Sequence, residues 1–260
     1  MTIGFIGLGT MGKPMAINLL KSGYSITAYD INPQAISEVM EQGAKKGESI
    51  ADVTINSKII ITMLPNSPQV KQVILMEDGI LNNAKKGTVV IDMSSIAPAA
   101  SREVGKALIA KEVQFLEAPV SGGEPKAIDG TLSIMVGGYI NTLNKVRDIL
   151  EVLGSSIVHC GDIGSGNLVK LVNQIIVAAN IAALAEALNL GRKSGVDMQI
   201  IFDAIRSGLA GSMVMESKAP MMIDRNFEPG FKINLHIKDL QNALDMGHLT
   251  GSHLPLTALV

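Results

Sequence analysis

Short apolar runs alternate with amphipathic stretches up to about residue 162. The runs at 2–7, 25–29, 58–64, 88–93, 114–117, 131–136 and 157–160 are rich in β-branched residues. They are nearly continuous in hydrophobicity rather than alternating, the pattern of strands covered on both faces. Between them, 12–22, 33–42, 98–110 and 142–153 read as helices, and Asn32-Pro33 is a start signal for the second of these. This rhythm predicts an α/β doubly wound sheet over residues 1–162. The Gly-rich hexamer 161–166 ends it. Beyond it no strand-like run appears, and 167–194, 198–206, 212–223 and 235–249 read as helices, which predicts an all-α domain over 163–260. The apolar run 254–260, without cap or polar tail, reads as a helix cut short and the second domain as incomplete.

Composition narrows the classes. The chain has 260 residues, enough for one large domain or two smaller ones, with 47% hydrophobic and 18% charged residues. A formal net charge of −2 argues against a nucleic-acid partner, which calls for a basic excess. Cys160 is the sole cysteine, so neither an internal disulfide nor a cysteine metal cluster can form, which fits a reducing cytoplasm. A mean hydropathy of +0.32 requires a test for a membrane span. The longest uncharged candidate, 171–185, has 15 residues and includes Asn173, Gln174 and Asn180. That is short of the ~20 apolar residues a bilayer needs. The N-terminus lacks the basic start and small-residue cleavage site of a signal peptide. The expectation is a cytoplasmic protein with no membrane partner.

Three motifs carry chemistry. The first is Gly7-Leu8-Gly9-Thr10-Met11-Gly12, which follows a strand and opens a helix. In that setting Gly7 permits the tight turn, Gly9 lets backbone approach a pyrophosphate, and Gly12 lets helix and strand pack closely. The helix N-terminus then offers N–H groups to phosphate. The plainer alternative is a tight turn without ligand. Asp30 ends the next strand, 18 residues after Gly12, where an acidic group can bond a ribose 2′-hydroxyl; it would also serve simply to cap the turn before Pro33. No Lys or Arg follows until Lys45, so a 2′-phosphate would meet a carboxylate without a nearby cation in sequence. NAD is therefore expected over NADP, with NADP disfavoured by Asp30.

The second motif is Ala118-Pro119-Val120-Ser121-Gly122-Gly123. Its small residues can expose backbone N–H groups as a nest for a carboxylate, or form an ordinary glycine turn. The third is Lys170, between Val169 and Leu171 in the most apolar helical stretch. Lysine is rarely buried unless paired or useful, yet it also snorkels at helix ends. Asn173 and Gln174 lie three and four residues on, on the same face, and Asn180 extends the polar stripe. His159, His236, His248 and His253 lack metal-ligand spacing and read as solvated or capping residues, so no metal is expected. There is no serine-nucleophile elbow, and the 14 methionines read as core filler.

Taken together, these pieces resemble the β-hydroxyacid dehydrogenase (3-hydroxyisobutyrate dehydrogenase-like) family. The likeness is carried by residues 4–12, Asp92-Met93-Ser94-Ser95, 118–123, Gly166-Asn167-Leu168-Val169-Lys170-Leu171-Val172-Asn173 and Lys238-Asp239-Leu240, in family order along nearly the whole chain. Residues 61–68, 121–132 and 224–227 carry a closer likeness to its semialdehyde-reducing members. The resemblance implies a Rossmann domain followed by an all-α substrate and dimerisation domain, with a site in the cleft between them. It places Lys170 on the family's catalytic lysine and Asn173 on its substrate-binding asparagine. Ser121, Gly122 and Gly123 fall on the substrate-carboxylate loop, and Leu64, Pro65, Ser95 and Lys238 on cofactor-contacting positions. Family members continue beyond the equivalent of Val260 with further helices.

The implied activity is NADH-dependent reduction of tartronate semialdehyde (2-hydroxy-3-oxopropanoate) to glycerate by a homo-oligomer, dimer or tetramer, with Lys170 as general acid/base. Oxidation of 3-hydroxyisobutyrate or another small 3-hydroxy acid is the alternative within the family. A regulator that binds NAD without turnover is the alternative outside it. Burial of Lys170 among Val169, Leu171 and Val172 is expected to disfavour its charged form.

Overall fold

Among the described residues, 2–228 and 230–260, the computed structural model holds nine strands in one sheet. The chain divides into two compact units, Met1–Lys170 and Leu171–Val260. The first unit opens with β1 (Thr2–Ile6), α1 (Gly12–Lys21), β2 (Ser25–Tyr29), α2 (Pro33–Met40), β3 (Lys45–Lys46) and α3 (Ile50–Ile55). It continues with β4 (Ile59–Thr62), α4 (Ser67–Leu75), α5 (Ile80–Asn83), β5 (Val89–Asp92), α6 (Pro98–Ala110) and β6 (Gln114–Glu117). It ends with β7 (Val120–Ser121), α7 (Gly123–Asp129), β8 (Leu132–Gly138), α8 (Ile140–Leu153) and β9 (Gly154–Gly161).

Strands β3-β2-β1-β4-β5-β6 run in that spatial order and are all parallel. β8 lies antiparallel to β6 and β7 and parallel to β9. The order reverses between β1 and β4. That reversal is the topological switch point of a doubly wound Rossmann sheet, beside which ligands bind at the carboxyl ends of the strands. The expected fold class is the observed one. Its cause is visible residue by residue: Ile3, Phe5, Ile59, Ile61, Val89, Ile91 and Leu116 enter one apolar layer, whereas Ile6, Ile60, Val90 and Phe115 enter the other. Side chains alternate across a strand, so a sheet clothed on both faces needs apolar residues at every position. β9 departs from this expectation. It pairs with β8 and leaves Val158 exposed, so its apolar run is not a two-sided core strand.

Several short elements escape the sequence pattern, namely β3, α3, α4, α5, β7 and α7. All of these but α4 have two to seven residues and do not complete enough periods to register as helix or strand. One matters for the site. The segment 118–123, expected as a loop, contains β7, and its last residue Gly123 begins α7.

α9 (Ser165–Lys193) begins in the first unit and continues into the second, where α10 (Met198–Ile205), α11 (Met213–Ile223), α12 (Ile233–Thr250) and α13 (Pro255–Leu259) follow. Asp197 and Ser212 cap α10 and α11 through their side-chain oxygens. Leu184 and Leu188 of α9 pack with Phe202, Met215 and Ala219 in this unit's core. α9 is 29 residues long, close to the helix read over 167–194, and the uncharged stretch 171–185 is its central part. By length and composition alone it would reach across a bilayer. Its burial, however, follows one face: Gly166, Asn167, Lys170, Leu171, Gln174 and Ala178 are buried at helical spacing, and Val169, Val172 and Ile176 are exposed.

Candidate active site

The dinucleotide-type motif folds as its spacing dictates. Gly7 takes φ +98°, and a Cβ there would stand 2.3 Å from the Met63 carbonyl oxygen. A Cβ on Gly12 would stand 1.9 Å from the Gly7 carbonyl oxygen. Both positions are therefore closed to side chains by the chain's own backbone. Gly9 differs, since among the described residues nothing beyond its two chain neighbours comes within 4 Å of its Cβ position. Its open side, beside an α1 N-terminus that lacks a side-chain cap, is a cradle that suits a phosphate. Leu8 is buried, Met11 is half-buried, and Gly9 and Thr10 are exposed.

Asp30 follows β2 directly. Its Oδ2 accepts from the Leu8 amide at 2.6 Å and its Oδ1 from the Asn32 amide at 2.7 Å. The carboxylate thus both caps the turn before Pro33 and is tied to the glycine loop. Each carboxylate oxygen keeps further acceptor capacity, so a ribose hydroxyl can still donate to it. A hollow beside this loop is lined by Gly9, Thr10, Asn32, Glu38 and also Lys13. Lys13 is a cation that the order of residues along the sequence hides, because only the packing of α1 beside α2 brings it near Asn32. It is paired with Glu38, Nζ to Oε2 at 2.6 Å.

The loops after β4 and β5 are stitched together. The Ser94 hydroxyl donates to Asp92 Oδ1 at 2.5 Å and accepts from the Leu64 amide at 2.9 Å, and the Thr62 hydroxyl donates to the same Asp92 oxygen at 2.8 Å. Half-buried Leu64 and exposed Pro65 thereby sit beside the loop bearing Ser95. Asp92 is buried, with its Oδ2 unpartnered. Desolvation, aided by the facing charge of Glu117, pushes its pKa up to about 6 against the hydrogen bonds from Ser94 and Thr62.

Ser121 is half-buried, whereas Gly122 and Gly123 are exposed at the start of α7. Their φ angles are +138° and +70°. Two successive left-handed residues leave this backbone bare on its outer side, where a carboxylate can approach N–H groups. A side chain on Gly122 would run into Lys126, 2.6 Å away.

Lys170 is only 7% exposed. Its sequence neighbours do not enclose it as expected, because Val169 and Val172 are 40% and 51% exposed. Consecutive helical residues point about 100° apart, so i−1 and i+2 look elsewhere. Leu171 alone of the three is buried. Ahead of Lys170, buried Glu117 at the end of β6 grips the start of α9. Its Oε1 accepts from the amides of Gly164 (2.6 Å), Gly166 (2.8 Å) and Asn167 (3.3 Å), and its Oε2 from Asn167 Nδ2 (2.9 Å).

In the second unit, Gln174 Nε2 donates to Asp239 Oδ2 at 2.7 Å and lies 3.2 Å from His236 Nδ1, while Asn173 Nδ2 donates to Gln174 Oε1 at 2.9 Å. Lys238 Nζ lies 2.8 Å from Asp239 Oδ1 as an ion pair, off the line of a hydrogen bond. Asn173 and Lys238, singled out separately in the sequence, therefore belong to one polar cluster. His236 is part of it, and neither solvated nor a cap. Glu117 carries no chemical signal in the sequence, and the ties of Asp239 and His236 to Gln174 are equally hidden, because these contacts span 47 to 65 residues.

Residues 2–161 match the family described as the NAD binding domain of 6-phosphogluconate dehydrogenase. Residues 164–260 match that described as NAD-binding of NADP-dependent 3-hydroxyisobutyrate dehydrogenase. The chain is 43% identical over 258 residues to 2-hydroxy-3-oxopropionate reductase of Escherichia coli, covering 99% of this chain and 88% of that protein. It is 42% identical over 258 residues to 2-(hydroxymethyl)glutarate dehydrogenase of Eubacterium barkeri, covering 99% and 86%. Among solved structures, 3-hydroxyisobutyrate dehydrogenase of Mycobacterium tuberculosis, with L-serine, superposes with a TM-score of 0.90 at 34% identity, covering 99% and 90%. The chain belongs to the 3-hydroxyisobutyrate dehydrogenase-like family of β-hydroxyacid dehydrogenases, NAD(P)-dependent oxidoreductases acting on CH–OH groups.

Proposed function

We propose that the chain catalyses NADH-dependent reduction of tartronate semialdehyde to glycerate, with residues 1–162 as the cofactor domain and 163–260 as the substrate and dimerisation domain of a homo-oligomer. The observation that carries the chemistry is an ammonium-bearing side chain, Lys170, buried on the packed face of α9. The choice of substrate is supported by the 43% identity to the Escherichia coli reductase of that substrate.

When bound, the nicotinamide supplies the hydride to the aldehyde carbon. Lys170 stabilises the charge growing on the aldehyde oxygen and donates the proton to it. Asn173, one turn further along α9, orients the substrate. Ser121, Gly122 and Gly123 hold the carboxylate. Gly7 to Gly12 receive the pyrophosphate, Leu64, Pro65 and Ser95 flank the cofactor, and Lys238 adds a contact to it. Asp30 accepts from the ribose hydroxyls, and the pairing of Lys13 with Glu38 leaves the adjoining hollow without an uncompensated cation for a 2′-phosphate. Both features favour NAD over NADP.

A second reading, oxidation of another small 3-hydroxy acid, is favoured by the 42% identity to the Eubacterium barkeri dehydrogenase. Loss of NADH absorbance across a panel of small semialdehyde acids, with the reverse assay on 3-hydroxyisobutyrate and 2-(hydroxymethyl)glutarate, decides between them. The highest kcat/KM is expected on tartronate semialdehyde. Tight NADH binding without turnover of any member of the panel would mean a nucleotide-binding regulator instead.

A further inference from the structure

The strongest buried group outside that mechanism is Glu117. We infer that Glu117 and Asn167 are positioning residues, which fix Lys170 against the loop that carries Ser95. The inference rests on Lys170 being the acid.

Three observations converge on it. Glu117 is fully buried at the carboxyl end of β6 and spends both oxygens on the first turn of α9, the helix bearing Lys170. An anion there also meets the positive end of the helix dipole. Asn167 then passes the restraint on: its Oδ1 accepts from the Ile96 amide at 3.0 Å, and its Nδ2 donates to the Ser101 hydroxyl at 2.9 Å as well as to Glu117. Ile96 directly follows Ser95. Finally, the seat is shaped by glycine. A Cβ on Gly166 would stand 2.4 Å from the Met135 carbonyl oxygen, and one on Gly137 would stand 2.3 Å from Glu117 Oε1. The start of α9 is thus held directly on the backbone of β8, and Lys170 follows Asn167 by less than one turn.

A glutamine at 117 cannot reproduce this. With its oxygen under the three amides, its NH2 faces the NH2 of Asn167, whose orientation is set by Ile96 and Ser101. Displacement of a reacting group by about 1 Å costs roughly 10²-fold in rate. The full chain is therefore compared with Glu117→Gln, Glu117→Asp and the milder Ser101→Ala. Four properties are read: kcat and its pH profile on the preferred semialdehyde, NADH dissociation constant by NADH fluorescence, and thermal midpoint. Glu117→Gln is expected to lower kcat by about 10²-fold and move the pH profile, with NADH affinity within about twofold. Glu117→Asp, which keeps the charge, restores much of the loss, and Ser101→Ala costs a few-fold. Variants that melt earlier but keep kcat per folded molecule and the same pH profile would overturn the inference and make the network a brace only. If Glu117→Gln does not fold, Ser101→Ala carries the same pair of outcomes. Lys170→Ala is run alongside. Retention of kcat there overturns the acid assignment and this inference with it, whereas its loss beside unaffected Glu117 and Ser101 variants overturns this inference alone.

Discussion

The carboxylate of Asp30 accepts a 2.6 Å hydrogen bond from the amide of Leu8, which ties the end of β2 to the glycine loop after β1. On the proposed reading, the group that would accept from the ribose is thereby tied to the loop that would receive the pyrophosphate. Asp30→Ala should weaken NADH binding about tenfold and NADPH binding less, since the 2′-phosphate loses a repulsive neighbour. Direct titration of both cofactors checks this. Equal affinities for the two in the unaltered protein would remove the role given to Asp30.

Glu38 offers an independent handle on the same choice. Its ion pair with Lys13 lies at the surface, where water screens it and it adds little to stability. Glu38→Gln should therefore leave the melting temperature almost unchanged while releasing the Lys13 ammonium beside the hollow. NADPH affinity should rise several-fold and NADH affinity stay constant. No change in NADPH affinity would show that Lys13 does not reach the 2′-phosphate position.

How much of this was readable beforehand depends on how local each signal is. Gly7, Gly9 and Gly12 are legible because the turn, the close approach and the helix start all fall within six residues. The doubly wound sheet is legible because apolar residues fill all but the last position of β4 and β5, where Thr62 and Asp92 stand. Glu117 is not, because the amides it binds at Gly164, Gly166 and Asn167 lie 47 to 50 residues away, and an acidic residue closing a strand carries no local mark. Lys13 is hidden for the same reason, as its relation to Asn32 exists only once α1 packs beside α2. The surroundings of Lys170 were misjudged because sequence neighbours in a helix point in different directions.

Asp92 makes stability depend on pH. Its pKa rises from 3.8 unfolded to about 6 folded through burial, so the folded state binds the proton more tightly across that window. The sign follows: the stability this group contributes is fully present below about pH 4, is lost as pH rises through 4 to 6, and is absent above. Between pH 5 and pH 7 this group should cost about 1 kcal/mol. Urea unfolding of the unaltered protein and of Asp92→Asn at both pH values isolates it, since the other carboxylates are common to both. A difference between the two proteins that does not change with pH would place the Asp92 pKa near its ordinary value.

Gly123 has space around its Cβ position, with only Pro125 Cδ at 3.8 Å, but a φ of +70°. Gly123→Val therefore acts through backbone conformation, because a β-branched residue is strained there. Re-orientation of the amides at 122 and 123 should raise the substrate KM about tenfold or more with little change in NADH affinity. A variant that lost NADH binding but kept its KM would assign this segment to the cofactor rather than the carboxylate.

The decisive test concerns Lys170. Hydride addition to an aldehyde builds negative charge on oxygen, and a positioned ammonium both stabilises that charge and ends it by giving up a proton. Lys170 meets the first requirement by its burial, since a 7% exposed lysine faces little competing water. It meets the second by its place on a helix whose first turn is gripped by Glu117 and Asn167. Positioned acid catalysis is worth roughly 10²–10⁴-fold. Lys170→Ala should lower kcat on that scale, keep NADH affinity within about twofold, and flatten the limb of the pH profile that belongs to the amine. Lys170→Arg keeps the charge but not the ability to give up a proton near neutral pH, because the guanidinium stays protonated. It should therefore recover binding of a substrate analogue without recovering turnover. If Lys170→Ala kept more than about a tenth of kcat, the loss would fall short of what acid catalysis supplies, and Lys238 in the polar cluster of α12 would be the next residue to test.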